Sequence, residues 1–246
     1  MKKSVFTILL CMVSAVSTAK AGIIDWQQTA QSIEGSVKAD TNNGAGYDFN
    51  GSAGIAYDYG DLDAAANNGG AVEFIFNFKN YNTSSKAFGS FQSDGGPVLM
   101  FKHKQGTSST EHLLGLTVST IKDHSFDQSI SAFDEDTHVV YVERASDSSA
   151  YQQFDLYVNG EFVQSLSSVY SKKFAGGSGF LGSGKVSTED QSYGVMLGVG
   201  TYDRELSAAQ IAGLYNSFKA ETPEPATLSL LALGGIAILR RKRKLA

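Results

Sequence analysis

Cysteine and tryptophan are nearly missing from this 246-residue chain, which has one of each, Cys11 and Trp26, and proline occurs only three times. Cys11 lies in an N-terminal apolar stretch, so a domain downstream of it can form no disulfide and must hold through its core alone. A Cys11 lipid anchor is excluded because Leu10, not a small residue, precedes it. The four histidines, His103, His112, His124 and His138, lack zinc-type spacing. There is no Gly-x-Ser-x-Gly elbow and no nucleophilic cysteine beyond the leader, which removes the usual nucleophile signatures. No repeat of fixed period is found, which excludes a solenoid or propeller.

Basic residues are also scarce once the two ends are set aside. Removing the eight at positions 2, 3, 20 and 240–244, together with Glu224, leaves 12 basic and 24 acidic residues, a formal charge near −12. So acidic a body excludes nucleic acid and anionic lipid as partners, because both require a cationic face.

Both ends carry transport features. Met1-Lys2-Lys3 is a basic start, Val5 to Val16 is largely apolar, and Ala19-Lys20-Ala21 is a small-x-small site, so residues 1–21 read as a signal peptide cut by signal peptidase after Ala21. At the other end, Pro223-Glu224-Pro225 is followed by an uncharged run from Ala226 to Leu239 and by five basic residues, Arg240 to Lys244. As a helix that run reaches about 21 Å, short of a hydrocarbon core of about 30 Å. The basic end would stay on the cytoplasmic side. An ordinary membrane anchor is one reading of this tail.

Between the ends, residues 22–220 suit one large β-domain. Val72, Phe74, Phe76 and Phe78 alternate onto one strand face, and 97–101, 112–118, 138–142 and 193–202 are further strand candidates. Phe154 to Val163 reads as a hairpin around Asn159-Gly160, the favoured pair for a type I′ turn. The stretches 42–46, 67–70 and 176–184, rich in Gly, Ser and Asn, read as loops. One helix is expected late in the chain: Ser207 and Gln210 form a capping box, and Ile211, Leu214, Tyr215 and Phe218 make an apolar stripe. Strands throughout with one late helix predict a β-sandwich.

Two resemblances add to this reading. Pro223 to Leu228, with the leucine-rich run and the basic terminus, resembles the PEP-CTERM sorting signal of Gram-negative bacteria, over residues 221–246. That resemblance implies an exosortase as processing partner and a C-terminal hydrophobic helix that holds the precursor in the membrane only temporarily, before release to the cell surface or matrix. The segment Gly194 to Tyr215, with Tyr202-Asp203-Arg204-Glu205-Leu206-Ser207 at its centre, is similar to the closing strand and helix of LamG-like, concanavalin A-like domains. Thr137 to Val142 and Phe154 to Gly160 are similar to that family's His-Val strand and its hairpin. The fold this implies is all-β, a concanavalin A-like jelly-roll sandwich with one short late helix, flanked by an N-terminal signal helix and the C-terminal hydrophobic helix.

Three functions compete for the body. The first is a non-catalytic binding or structural module whose candidate partner is extracellular polysaccharide. The family sometimes holds Ca²⁺, for which the oxygen-rich loop containing Asp134 and Asp136 offers candidate ligands; Asp58, Asp61 and Asp63 form a second such group, and neither follows EF-hand spacing. The second is a glycoside hydrolase, but the Glu-x-Asp-x-x-Glu strand that would set two carboxyl groups about 5 Å apart is absent, and no catalytic residue is assigned. The third is ice binding, a label attached to similar tails; the chain has no spaced Thr-x-Thr ladder. Most of the 11 tyrosines sit in strand-like runs, where they are expected to be half-buried and not to form glycan platforms. The ligand is not legible from the sequence.

Overall fold

The computed structural model describes residues 35–39, 47–50, 55–58, 69–77, 86–91, 99–105, 111–118, 122–131, 136–145, 152–168, 178–182 and 193–221. In chain order the strands are β1 (Gly35–Ala39), β2 (Tyr47–Asn50), β3 (Ile55–Asp58), β4 (Gly70–Asn77), β5 (Lys86–Phe91), β6 (Leu99–Gln105) and β7 (Glu111–Val118). They continue with β8 (Lys122–Ser131), β9 (Thr137–Glu143), β10 (Gln152–Val158), β11 (Glu161–Ser168), β12 (Ser178–Leu181) and β13 (Tyr193–Tyr202), and helix α1 (Ala208–Glu221) follows. One compact unit spans Gln27–Tyr215; a second comprises Met1–Trp26 and Asn216–Ala246, of which 216–221 are described. Among the described residues no helix is long and apolar enough to cross a membrane.

The strands form two antiparallel sheets. One is ordered β1-β13-β4-β9-β10-β11, with β2 also paired to β13; the other runs β3-β12-β5-β6-β7-β8. Period-two alternation builds the core between them. From the first sheet Val72, Phe74, Phe76, Val139, Tyr141, Phe154 and Leu156 meet Phe88, Leu99, Phe101, Leu114 and Leu116 of the second. Phe74 packs edge-on against Phe88 at 5.0 Å, and Phe101 lies 4.9 Å from Tyr141, ring centre to ring centre. Each such side chain contributes about 1.5–3 kcal/mol by leaving water, which lets the sandwich stand without disulfides.

The fold is thus the expected all-β sandwich with a late helix. The loop reading of 176–184 needs correction, because it contains β12. Ser178–Leu181 has weak β-propensity, but β12 is paired on both edges, to β3 and β5, and ladder bonds on two sides override the composition. The readings at Phe78 and at 42–46 lie outside the described residues, as do the expectations of an N-terminal signal helix and a C-terminal hydrophobic helix.

The β10–β11 hairpin turns as the sequence predicts. Asn159 and Gly160 have φ of 51° and 81°, the pair of positive values a type I′ turn needs. Gly160 is also pressed against α1: a Cβ there would lie 3.1 Å from Tyr215 Cβ and Cδ1. Gly160→Ala is therefore expected to cost about 1–3 kcal/mol through backbone strain and overpacking. Calorimetry should show a melting midpoint lower by roughly 3–10 °C.

Candidate functional site

The outer face of the first sheet, away from the inter-sheet core, holds a second apolar cluster. Ala71, Val140, Val142, Tyr157 and Tyr202 point there and are roofed by Leu206, Ile211 and Leu214. The roof is set in place by the predicted capping box: Ser207 N–H donates to Gln210 Oε1 at 2.9 Å and Gln210 N–H to Ser207 Oγ at 3.3 Å. That reciprocal cap starts α1 where Ile211 and Leu214 fall on the sheet.

Within this roofed layer sits a buried carboxylate, Glu73. It alternates outward between Val72 and Phe74 and stands opposite Val140 on one side and Gly200 on the other. The Tyr202 hydroxyl donates to Glu73 Oε2 at 2.6 Å, and His138 Nε2 lies 2.5 Å from Oε1. All three residues are fully buried. Gly200 makes the arrangement sterically feasible, since a Cβ there would lie 2.9 Å from Glu73 Oε2 and 3.1 Å from the Tyr202 hydroxyl. Burial, and then the neighbouring Glu73 charge and its hydrogen bond, push the Tyr202 hydroxyl well above the usual tyrosine range. Tyr202 therefore stays a donor.

His138 is fixed from three sides. Its backbone N–H donates to Asn159 Oδ1 at 3.0 Å, its carbonyl accepts from Asn159 N–H at 2.8 Å, and its ring stacks on Tyr215 at 5.9 Å. A carboxylate, an imidazole and a phenol in contact are the parts of an acid–base site. General catalysis, however, requires reach to a substrate proton. Glu73, His138 and Tyr202 are sealed under α1, so they lock the sheet to its roof.

At the rim of the same face Arg144 ties three segments together. Its Nε donates to Asp155 Oδ2 and its Nη1 to Glu205 Oε2, both at 2.7 Å, while Glu205 also accepts from the Ala145 backbone N–H. Partial burial alone would lower the Arg144 pKa; the two carboxylates outweigh it and hold the guanidinium firmly charged. Ser165 Oγ donates to Asp155 Oδ1 at 2.6 Å, and Gln153 Nε2 donates to the same oxygen at 3.2 Å. Beside this row lies Phe162, 54 % exposed and the one exposed large hydrophobic among the described residues. Its ring meets Tyr157 edge-on at 5.5 Å.

The metal, cleavage and sorting candidates read from the sequence lie mostly outside the described residues. Asp136 accepts from Asn77 Nδ2 at 3.0 Å, and Asp134 is outside the described residues. Among the described residues no three His, Cys, Asp or Glu side chains gather as a metal ion would need. Ala19, Ala21, Pro223, Glu224 and Pro225 also lie outside the described residues. Tyr141, Tyr157 and Tyr202 are buried, beyond the half-burial expected of them. Sequence reasoning missed Glu73, although a lone charge between Ala71 and Ile75 on an otherwise apolar alternation was the available signal.

Two consequences are measurable. Glu73→Ala strands two buried donors, and urea unfolding should register a loss of about 3–5 kcal/mol. The raised Tyr202 pKa contributes stability that is fully present below the ordinary tyrosine value of about 10 and is lost as pH climbs above it. Stability measured between pH 10 and 12 should therefore fall less steeply in Tyr202→Phe than in the wild type, by up to about 1.4 kcal/mol per pH unit.

Comparison with known proteins matches residues 221–244 to the PEP-CTERM protein-sorting motif, which marks an exported, membrane-processed bacterial surface protein. Curated protein sequences give no match. Among solved structures, the binding domain of Botulinum Neurotoxin DC in complex with SialylT is 11 % identical with a TM-score of 0.50, over 75 % of this chain and 45 % of that one. Trypanosoma rangeli sialidase is 14 % identical with a TM-score of 0.50, over 76 % of this chain and 29 % of the sialidase. The Ruminococcus gnavus IT-sialidase CBM40 bound to α2,3-sialyllactose is 13 % identical with a TM-score of 0.47, over 69 % and 96 %. At these identities the likeness is one of fold: the body of the chain is a β-sandwich carrying a bacterial sorting motif.

Proposed function

We propose that this chain is an exported surface or matrix protein of a Gram-negative bacterium whose LamG-like body binds or supports without catalysing. Signal peptidase removes the leader after Ala21, the C-terminal apolar helix holds the precursor in the membrane, and an exosortase cuts near Pro223. The cut falls beyond Glu221, the last residue of α1. The mature protein therefore keeps the roof over Glu73.

The sealed Glu73–His138–Tyr202 cluster carries the non-catalytic reading. It brings a carboxylate, an imidazole and a phenol together, and all of it is spent inside the fold at full burial. At the rim the half-buried Arg144 and Glu205 and the buried Asp155 are likewise tied to one another, a guanidinium held by two carboxylates. Extracellular polysaccharide is the partner class this reading favours, because a strongly acidic body repels anionic polymers and a neutral glycan carries no charge to be repelled.

Two measurements test it. Protein recovered from an exosortase-bearing host should have an intact mass beginning at Gly22 and ending near Pro223; material retaining Arg240 to Lys244 contradicts the processing route. Incubated with polysaccharides, the purified protein should release no reducing ends, and turnover above that of a Glu73→Gln control would make the body an enzyme.

A further inference from the structure

The β10–β11 edge of the first sheet contains a register irregularity. Asp155 pairs with Ser165 and Leu156 with Gln164, but Tyr157 pairs with Phe162. The extra residue, Val163, packs against the inter-sheet core. Simple alternation would place Phe162 and Ser165 on opposite faces; with the bulge, Ser165 reaches Asp155 and Phe162 reaches Tyr157 on the same outer face. The bulge thus sets a solvent-facing aromatic ring beside a row of hydrogen-bonding side chains.

We infer that this edge is a binding site for a neutral saccharide, with Phe162 as the stacking platform and Gln153 and Ser165 as hydroxyl partners, both positioned by the buried Asp155. The inference rests on the surface-module reading above and names its ligand class and site. Three observations carry it. Tyr157 meets Phe162 edge-on, holding the ring in a fixed pose while 54 % of the residue remains exposed. A pyranose presents an apolar C–H face suited to such a ring, with hydroxyls around its rim that both donate and accept. Gln153 and Ser165 are themselves exposed and combine donor and acceptor groups, and the buried Asp155 accepts from both and so fixes their position.

The local charge selects the class of sugar. The Arg144 guanidinium is already engaged by Asp155 and Glu205. Among the described residues, Arg144, Asp155 and Glu205 together carry one net negative charge, and the body is strongly acidic, so a uronic or sialic acid meets repulsion where a neutral hexose does not. A second copy of the chain is a poorer occupant: one exposed ring is far from the roughly 1,000 Å² of a stable interface, and two bodies near −12 repel each other. A single platform binds a single saccharide weakly, with affinity in the millimolar range, and gains on a polymer by repeated engagement.

Affinity electrophoresis of the full chain in mild detergent, through native gels containing a neutral β-glucan, a neutral galactomannan or polygalacturonate, tests the site. The inference expects retardation by at least one neutral polymer and none by polygalacturonate. Phe162→Ala should weaken retention at least tenfold with an unchanged melting temperature, Phe162→Tyr should retain it, and Gln153→Ala should weaken it severalfold. Equal retention of Phe162→Ala and wild type, stronger retention by polygalacturonate, retention by no neutral polymer, or a dimer in sedimentation that Phe162→Ala abolishes would each overturn the site. Those outcomes leave the surface-module reading standing, whereas depolymerisation of the gel polymer would overturn that reading.

Discussion

A carboxylate buried in an apolar layer is the constraint on which the outer half of this sandwich depends. Left unpaired, the Glu73 charge would cost several kcal/mol, so the fold must deliver donors to both of its oxygens and keep water away from all of them. Tyr202 and His138 supply the donors from β13 and β9, the two strands flanking β4. Gly200 leaves room for the three side chains to meet, and the roof formed by Leu206, Ile211 and Leu214 excludes solvent. The Asn159-Gly160 turn and the Ser207–Gln210 cap then serve one end: the first holds the His138 backbone and backs onto Tyr215, and the second starts the roofing helix in register. Local features that look independent in the chain are requirements of a single buried charge.

How much of this was legible beforehand divides along physical lines. The strands that show strong alternation, such as β4, β7, β9 and β13, are read from the chain because each buries a dense aliphatic and aromatic face in the core. The hairpin turn and the helix cap are read because their chemistry is local. By contrast, β12 with Ser-Gly-Phe-Leu is made a strand by β3 and β5, neighbours distant in sequence, and β8, with its mixture of Lys, Asp, His and Ser, by hairpin pairing to the preceding β7, so that neither shows a strand pattern of its own. The cluster around Glu73 was hidden for the same reason: residues 73, 138 and 202 are brought together only by strand order. For Phe162 a sequence signal did exist, since Phe162-Val163 places two apolar residues side by side on an edge strand where at most one can face the core.

This division also bears on function. A sandwich that spends its carboxylate, imidazole and phenol on attaching a helix has buried the outer face of its central strands, and among the described residues Phe162, on the neighbouring sheet edge, is the exposed large hydrophobic. The bulge in β11 uses that edge, and the Arg144 lattice stiffens it. The sorting motif begins at Glu221, the last residue of α1, and so follows the roof residues Leu206, Ile211 and Leu214 in the chain.

The central claim is that α1 is a permanent part of the sheet it covers and not a lid over a working site. Hydrogen–deuterium exchange of the native protein, followed by mass spectrometry of peptides covering 70–77, 137–143 and 208–215, tests it most directly. If the account is right, the helix peptide exchanges with the same slow, cooperative opening as the two central strands, within about tenfold in rate. Exchange of 208–215 about a hundredfold faster or more, with the strands still protected, would mean that the helix opens alone, exposes Glu73 and His138 to solvent, and contradicts the account.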